Sequence, residues 1–198
     1  MHKQECIILD IDMILTDILF RVHNKNPMAT QTIDANFVIK ERQMKELIET
    51  SSVKDPEFVD FFDNEMDYDL ASPAKDIDKL FKEIEKYNYT KIVIITHMTE
   101  NMCEFSKLMF VYRTLIKYFK KEELLNKIVE YNPISMFISK KEFFKEKYND
   151  YHPVLLIDDN IKTIKEFREE WEDIDVLIPE RLIWKETILQ KFKNINIY

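Results

Sequence analysis

Two aspartates one residue apart, Asp10 and Asp12 in the stretch ILDIDMILTD, follow directly on an apolar run. In an extended chain the side chains at i and i+2 point the same way, so both carboxylates can face one electrophile. A carboxylate can attack phosphorus and form an aspartyl phosphate. A second carboxyl group can protonate the leaving oxygen, then deprotonate the water that hydrolyses the intermediate. A strand that served only to fill a core has no need of either group at its end.

Such chemistry requires partners, and the chain supplies them in order. Thr96 closes the apolar run KIVIIT, where its hydroxyl and the N–H groups of its loop can bind phosphoryl oxygens, and His97 follows it at the pocket lining. Lys140 and Lys141 stand at the start of a helical pattern and offer a cation. Asp158 and Asp159 close the run VLLIDD. Four carboxylates gathered at one place repel one another unless a cation sits among them. A hard ion with oxygen ligands, Mg²⁺, fits Asp10, Asp12, Asp158 and Asp159 as its ligand set.

The elements that must position these groups are an alternation of strands and helices. Cys6 to Leu9, Lys91 to Ile95, Ile134 to Ile138, Val154 to Ile157 and, more weakly, Ile174 to Ile178 are short continuous apolar runs. Such runs read as parallel strands buried on both faces. Between them Ile77, Leu80, Phe81 and Ile84 recur at helical spacing. So do Phe105, Leu108, Met109, Tyr112, Leu115, Ile116 and Phe119, and likewise Ile161, Ile164, Phe167 and Trp171. Each stripe is expected to face the core. The order predicts an α/β fold, a parallel sheet with helices on both faces, whose strands deliver ligand-binding groups at their carboxyl ends.

Composition narrows the field. The 198 residues are 45% hydrophobic and 33% charged, with a net charge of −8 that speaks against broad electrostatic binding of nucleic acid. No apolar stretch approaches the roughly 18 residues of a membrane span, and no secretory leader is evident. Cys6 and Cys103 read as reduced thiols of a cytoplasmic protein. The chain has no glycine, where about 7% is usual, a skew expected from an AT-rich coding sequence. Any position with φ > 0 must then fall to Asn, Asp or a strained residue. Asn88, Asn132, Asn149 and Asn160, at apparent element ends, are the candidates.

Taken in order, these motifs resemble those of the haloacid dehalogenase (HAD) superfamily of phosphohydrolases over most of the chain. The resemblance implies Asp10 as nucleophile, Asp12 as general acid/base, Thr96 in the second motif, Lys140 or Lys141 in the third, and Asp158 with Asp159 in the metal-binding fourth. It also implies a HAD-like Rossmannoid three-layer fold with a helical cap inserted after the first strand. The core would then be residues 1–12 and 71–198, and the cap residues 13–70, including a helix over Val38 to Ile48. Within the superfamily the chain is most similar to the phosphatase domain of phage-type polynucleotide kinase/phosphatase. Arg21 in DILFRVH falls where that group has an active-site arginine, and the helical phase of KKEFFKEK favours Lys140 over Lys141.

The implied function is Mg²⁺-dependent hydrolysis of a small phosphomonoester, a nucleotide or a nucleic-acid terminal phosphate, with no membrane partner. Met13 and Ile14 stand where the family has glycine and threonine, and Met13 is expected to narrow the mouth of the site. Met98 stands where the polynucleotide phosphatase has a phosphate-binding arginine. Two alternatives use overlapping motifs. A binding or regulatory protein on the same scaffold, such as a phage factor that sequesters a nucleotide or a host protein, has the same motifs without turnover. In a receiver domain the adjacent acidic pair follows the first strand, whereas here it comes late.

Overall fold

A computed structural model describes residues 3–16, 71–98, 104–120, 128–179 and 195–198. Six strands, β1 (Gln4–Leu9), β2 (Lys91–Met98), β3 (Val129–Ser135), β4 (Tyr151–Ile157), β5 (Asp175–Ile178) and β6 (Ile195–Ile197), form one sheet. Every pairing is parallel and the order is β3-β2-β1-β4-β5-β6. Four helices are described: α1 (Ile77–Ile84), α2 (Glu104–Leu115), α3 (Lys140–Lys147) and α4 (Ile161–Glu170). None is long and apolar enough to cross a membrane.

Two hydrophobic clusters cover the two faces of the sheet. Ile7, Leu9, Ile92 and Ile94 alternate onto one face, beneath α1 and the Phe110, Val111 and Leu115 side of α2. Cys6, Ile8, Val93 and Ile95 alternate onto the other, against Phe144 of α3 and Ile164 and Phe167 of α4. The period-2 alternation of continuous apolar runs therefore buries both faces, as the sequence predicts for a parallel α/β sheet. The α1 stripe Ile77, Leu80, Phe81 and Ile84 is buried as expected.

Several expectations need correction. The third strand is Val129–Ser135 rather than Ile134 to Ile138. It lies at the end of the strand order, where half-exposed Glu130 can pair with Lys91 and Lys147, at 2.9 and 3.0 Å. Met136, Phe137 and Ile138 lie beyond it, with Phe137 95% exposed. The stripe on α2 is also rotated from the expected one. Phe105, Met109, Tyr112 and Ile116 are exposed, while Ser106, Lys107, Phe110, Val111, Thr114 and Leu115 are buried.

The asparagines do not hold left-handed backbone. Among the described residues without exception for side-chain type, only Met13 has positive φ, at 62°. Its side chain is buried with Ile8, Val93 and Ile95, so it fills the core rather than narrowing a site mouth. Met13 belongs to a tight turn in which the Ile11 carbonyl accepts from the N–H groups of Ile14, Leu15 and Thr16.

Residues 13–16 thus pack as part of the sheet domain. Ala74 N–H donates to the Leu15 carbonyl, and Thr16 bridges Pro73 in antiparallel fashion, so the chain leaves and re-enters the core side by side. The remainder of the expected cap, with the Val38 to Ile48 helix and Arg21, lies outside the described residues.

Candidate active site

The strand order reverses direction between β1 and β4, and in open α/β sheets such a switch point opens a crevice beyond the strands' carboxyl ends. Asp10 and Asp158 are the first residues past those two strands. Asp10 N–H donates to the Ile157 carbonyl at 2.9 Å, fixing the two strand ends together. Both aspartates are buried.

The cation between them comes from α3. Ser139 caps this helix by accepting from Glu142 N–H, which places Lys140 in its first turn. Lys140 Nζ lies 2.9 Å from Asp10 Oδ1 and 2.8 Å from Asp158 Oδ2. Lys141, the alternative, pairs instead with its neighbour Glu142 at 3.1 Å. Asp10 Oδ1 also accepts from Ile11 N–H at 2.8 Å. Both of these bonds fall on Oδ1 rather than Oδ2. Asp158 Oδ1 accepts from Asn160 N–H at 2.7 Å, and Asn160 in turn caps α4.

Burial and like charge make this cluster unstable as bare anions. Burial, reinforced by the charges of Asp158, Asp12 and Asp159, pushes the Asp10 carboxyl up to about 7 against the pull of Lys140. Burial raises Asp158 as well, again opposed by Lys140. Burial alone would lower Lys140, but the two carboxylates outweigh it and hold the ammonium above its usual range.

Asp10, Asp158 and Asp159 present oxygens that all lie within 4.8 Å of one another. Three hard carboxylate donors suit Mg²⁺, and a divalent charge balances what Lys140 leaves over, so the residues present fit that ion. Asp12 is not one of this set.

Asp12 is gripped from the opposite layer. Lys107, on α2, is 0% exposed, and its Nζ lies 2.7 Å from Asp12 Oδ2 and 3.2 Å from the His97 carbonyl. The extended-chain parity that predicted a shared direction for Asp10 and Asp12 ends with β1 at Leu9. Past that point Lys140 holds one carboxylate from the α3 layer, and Lys107 the other from the α2 layer. Lys107 escaped the sequence reading because it sits within a run of apolar residues whose strongest stripe is on another face. Its signal was the helical alignment of Lys107 with Phe110, Val111 and Thr114, which share the buried side.

Thr96 lies in β2 two residues beyond the Leu9–Ile94 pair, level with the start of the aspartate turn. Its hydroxyl is fully buried and has no hydrogen-bond partner among the described residues. A buried polar atom without a partner costs about 1–3 kcal/mol, so a bound acceptor or donor at this point would be stabilising. His97 turns its ring to the Ile138 carbonyl, Nε2 to O 3.0 Å, and burial lowers its basicity, partly offset by that carbonyl. It therefore ties the β2 end to the loop after β3 rather than presenting a ring nitrogen to the aspartates.

No protein-family model matches the chain, and no curated protein matches it.

Proposed function

We propose that this protein is a Mg²⁺-dependent phosphomonoester hydrolase of the haloacid dehalogenase type, acting through a phosphorylated Asp10. The observation that carries the proposal is the Lys140 bridge between Asp10 and Asp158 at a topological switch point, beside the partnerless hydroxyl of Thr96. A buried donor left over at the same sheet edge supports a site for a phosphoryl oxygen.

In the first step the Asp10 carboxylate attacks phosphorus, the P–O bond to the leaving group breaks, and Asp12 gives that oxygen a proton. In the second, Asp12 takes a proton from water, whose oxygen attacks the same phosphorus. The Asp10–phosphorus bond breaks and inorganic phosphate leaves. Lys140 keeps the nucleophile oriented and balances charge, and Thr96 donates to a phosphoryl oxygen. Asp10, Asp158 and Asp159 would hold Mg²⁺, whose charge would neutralise the phosphate dianion.

The resemblance in the motifs supports a nucleotide or nucleic-acid terminal phosphate as substrate, selected by a cap formed from the insertion after β1. Turnover across a panel of nucleoside monophosphates, 3′-phosphorylated oligonucleotides and a generic aryl phosphate tests the reading. Mg²⁺-dependent release of phosphate supports it; no release from any member overturns it.

A further inference from the structure

The geometry points to Lys107 as the positioning residue for the acid/base, a role no motif in the sequence assigns to it. The inference rests on the phosphatase reading above and deepens it. A lysine with no exposed surface is rare unless paired, because burying an ammonium costs several kcal/mol. Here the ammonium reaches up from the buried side of α2, between Ser106, Phe110 and Val111, to the one aspartate that stands outside the candidate metal set.

Two of its contacts bear on the site. The 2.7 Å pair to Asp12 Oδ2 fixes the position of that carboxylate. The 3.2 Å bond to the His97 carbonyl ties the same ammonium to the residue after Thr96. Lys107 thus holds the acid/base and the hydroxyl-bearing strand end in one register. Met98, close by in sequence, brings no charge of its own. Of the four aspartates, Asp10 and Asp158 share Lys140 and form the candidate metal set with Asp159, while Asp12 has a separate lysine.

A carboxyl group out of place loses proton delivery to the leaving oxygen, while attack by Asp10 and binding of the phosphate remain. The loss therefore depends on how much the leaving group needs a proton. In Lys107→Met, kcat/KM for an alkyl phosphate is expected to fall about 100-fold, the scale of a misplaced group. For 4-nitrophenyl phosphate, whose leaving group departs as a stable anion, the fall is expected to stay within about 3-fold. Lys107→Gln, which keeps donors but loses the charge, serves where Lys107→Met does not fold, with a smaller loss in the same direction, alkyl over aryl, expected.

Equal losses on the two substrates overturn the inference, since a structural defect or a lost phosphate contact affects both alike. A rise in KM without loss of kcat on the alkyl ester also overturns it. Wild-type protein inactive on both substrates defeats the phosphatase reading itself, and this inference with it. Active wild-type protein with unselective variants defeats the inference alone.

Discussion

Asp10 Oδ1 and Lys140 Nζ meet at 2.9 Å, the end of the first strand against the first turn of a helix far along the chain. The pair exists because β1 and β4 are neighbours in the sheet and α3 leads into β4. Removing the ammonium leaves Asp10 and Asp158 buried together, and breaking a buried pair typically costs about 3–5 kcal/mol. Lys140→Met is expected to lower stability by that order and to abolish turnover. Added Mg²⁺ is expected to restore part of the stability and none of the activity. Denaturant titrations with and without Mg²⁺ measure this, and an unchanged midpoint contradicts it.

Asp12→Asn keeps the shape of the acid/base while removing its proton transfer. Turnover is expected to fall at least about 100-fold. Binding of a phosphate analogue such as vanadate is expected to persist, because Asp10, Lys140 and Thr96 remain. Full activity in Asp12→Asn refutes the role given to this residue.

Thr96→Val separates function from stability. The valine removes a buried hydroxyl that has no partner among the described residues, so the free protein is expected to gain about 1 kcal/mol. Turnover is expected to fall about 10-fold or more through the lost donor to the phosphoryl group. A variant that is both less stable and fully active contradicts the placement of that hydroxyl.

The acidic cluster sets a pH dependence with a definite sign. Burial raises the Asp10 carboxyl from 3.8 to about 7 in the folded chain. The folded state then keeps a proton that the unfolded chain has released. This contribution to stability is complete below 3.8 and is lost as pH rises to about 7. Asp158, raised by burial, adds in the same direction. Metal-free protein is therefore expected to lose melting temperature relative to Asp10→Asn as pH rises from about 4 to about 7. Stabilisation by Mg²⁺ is expected to grow over the same interval, since the ion binds deprotonated ligands. Melting curves in chelator and in Mg²⁺ test both, and a wild-type protein that gains on Asp10→Asn as pH rises reverses the assignment.

At Met13 two effects oppose each other. Left-handed backbone costs a non-glycine residue about 1–2 kcal/mol. The buried methionine side chain is worth about 2–5 kcal/mol when truncated. Packing wins, so Met13→Gly is expected to destabilise the protein by about 1–3 kcal/mol in spite of its better backbone fit. A stabilised Met13→Gly protein contradicts that balance.

The parallel sheet was legible in the sequence because central strands must be apolar on both faces, and Cys6–Leu9, Lys91–Ile95 and Val154–Ile157 are. The same criterion failed at β3. Its place at the end of the strand order lets Glu130 and Asn132 enter the strand, while the apolar Met136–Ile138 that follows is exposed. The short β6 carries too little pattern to be read.

In the site, Asp10, Asp158, Thr96 and Lys140 were legible because each closes an apolar run or opens a helical pattern in the sequence, whereas the place of Asp12 outside the metal set was not. Lys107 was not, because its partner is distant in sequence and hydrophobic density favoured a different face of α2. Met13 was noticed as a departure from a motif, but its backbone angle and its burial depend on tertiary packing.

The central claim is that Asp10 becomes phosphorylated during turnover. Protein quenched in acid during hydrolysis of an aryl phosphate with Mg²⁺, then digested and analysed by mass spectrometry, tests this most directly. One phosphoryl group on the peptide carrying Asp10, absent in Asp10→Asn and in chelator, is the predicted result. Phosphate release with no such adduct, or undiminished release by Asp10→Asn, would contradict the account.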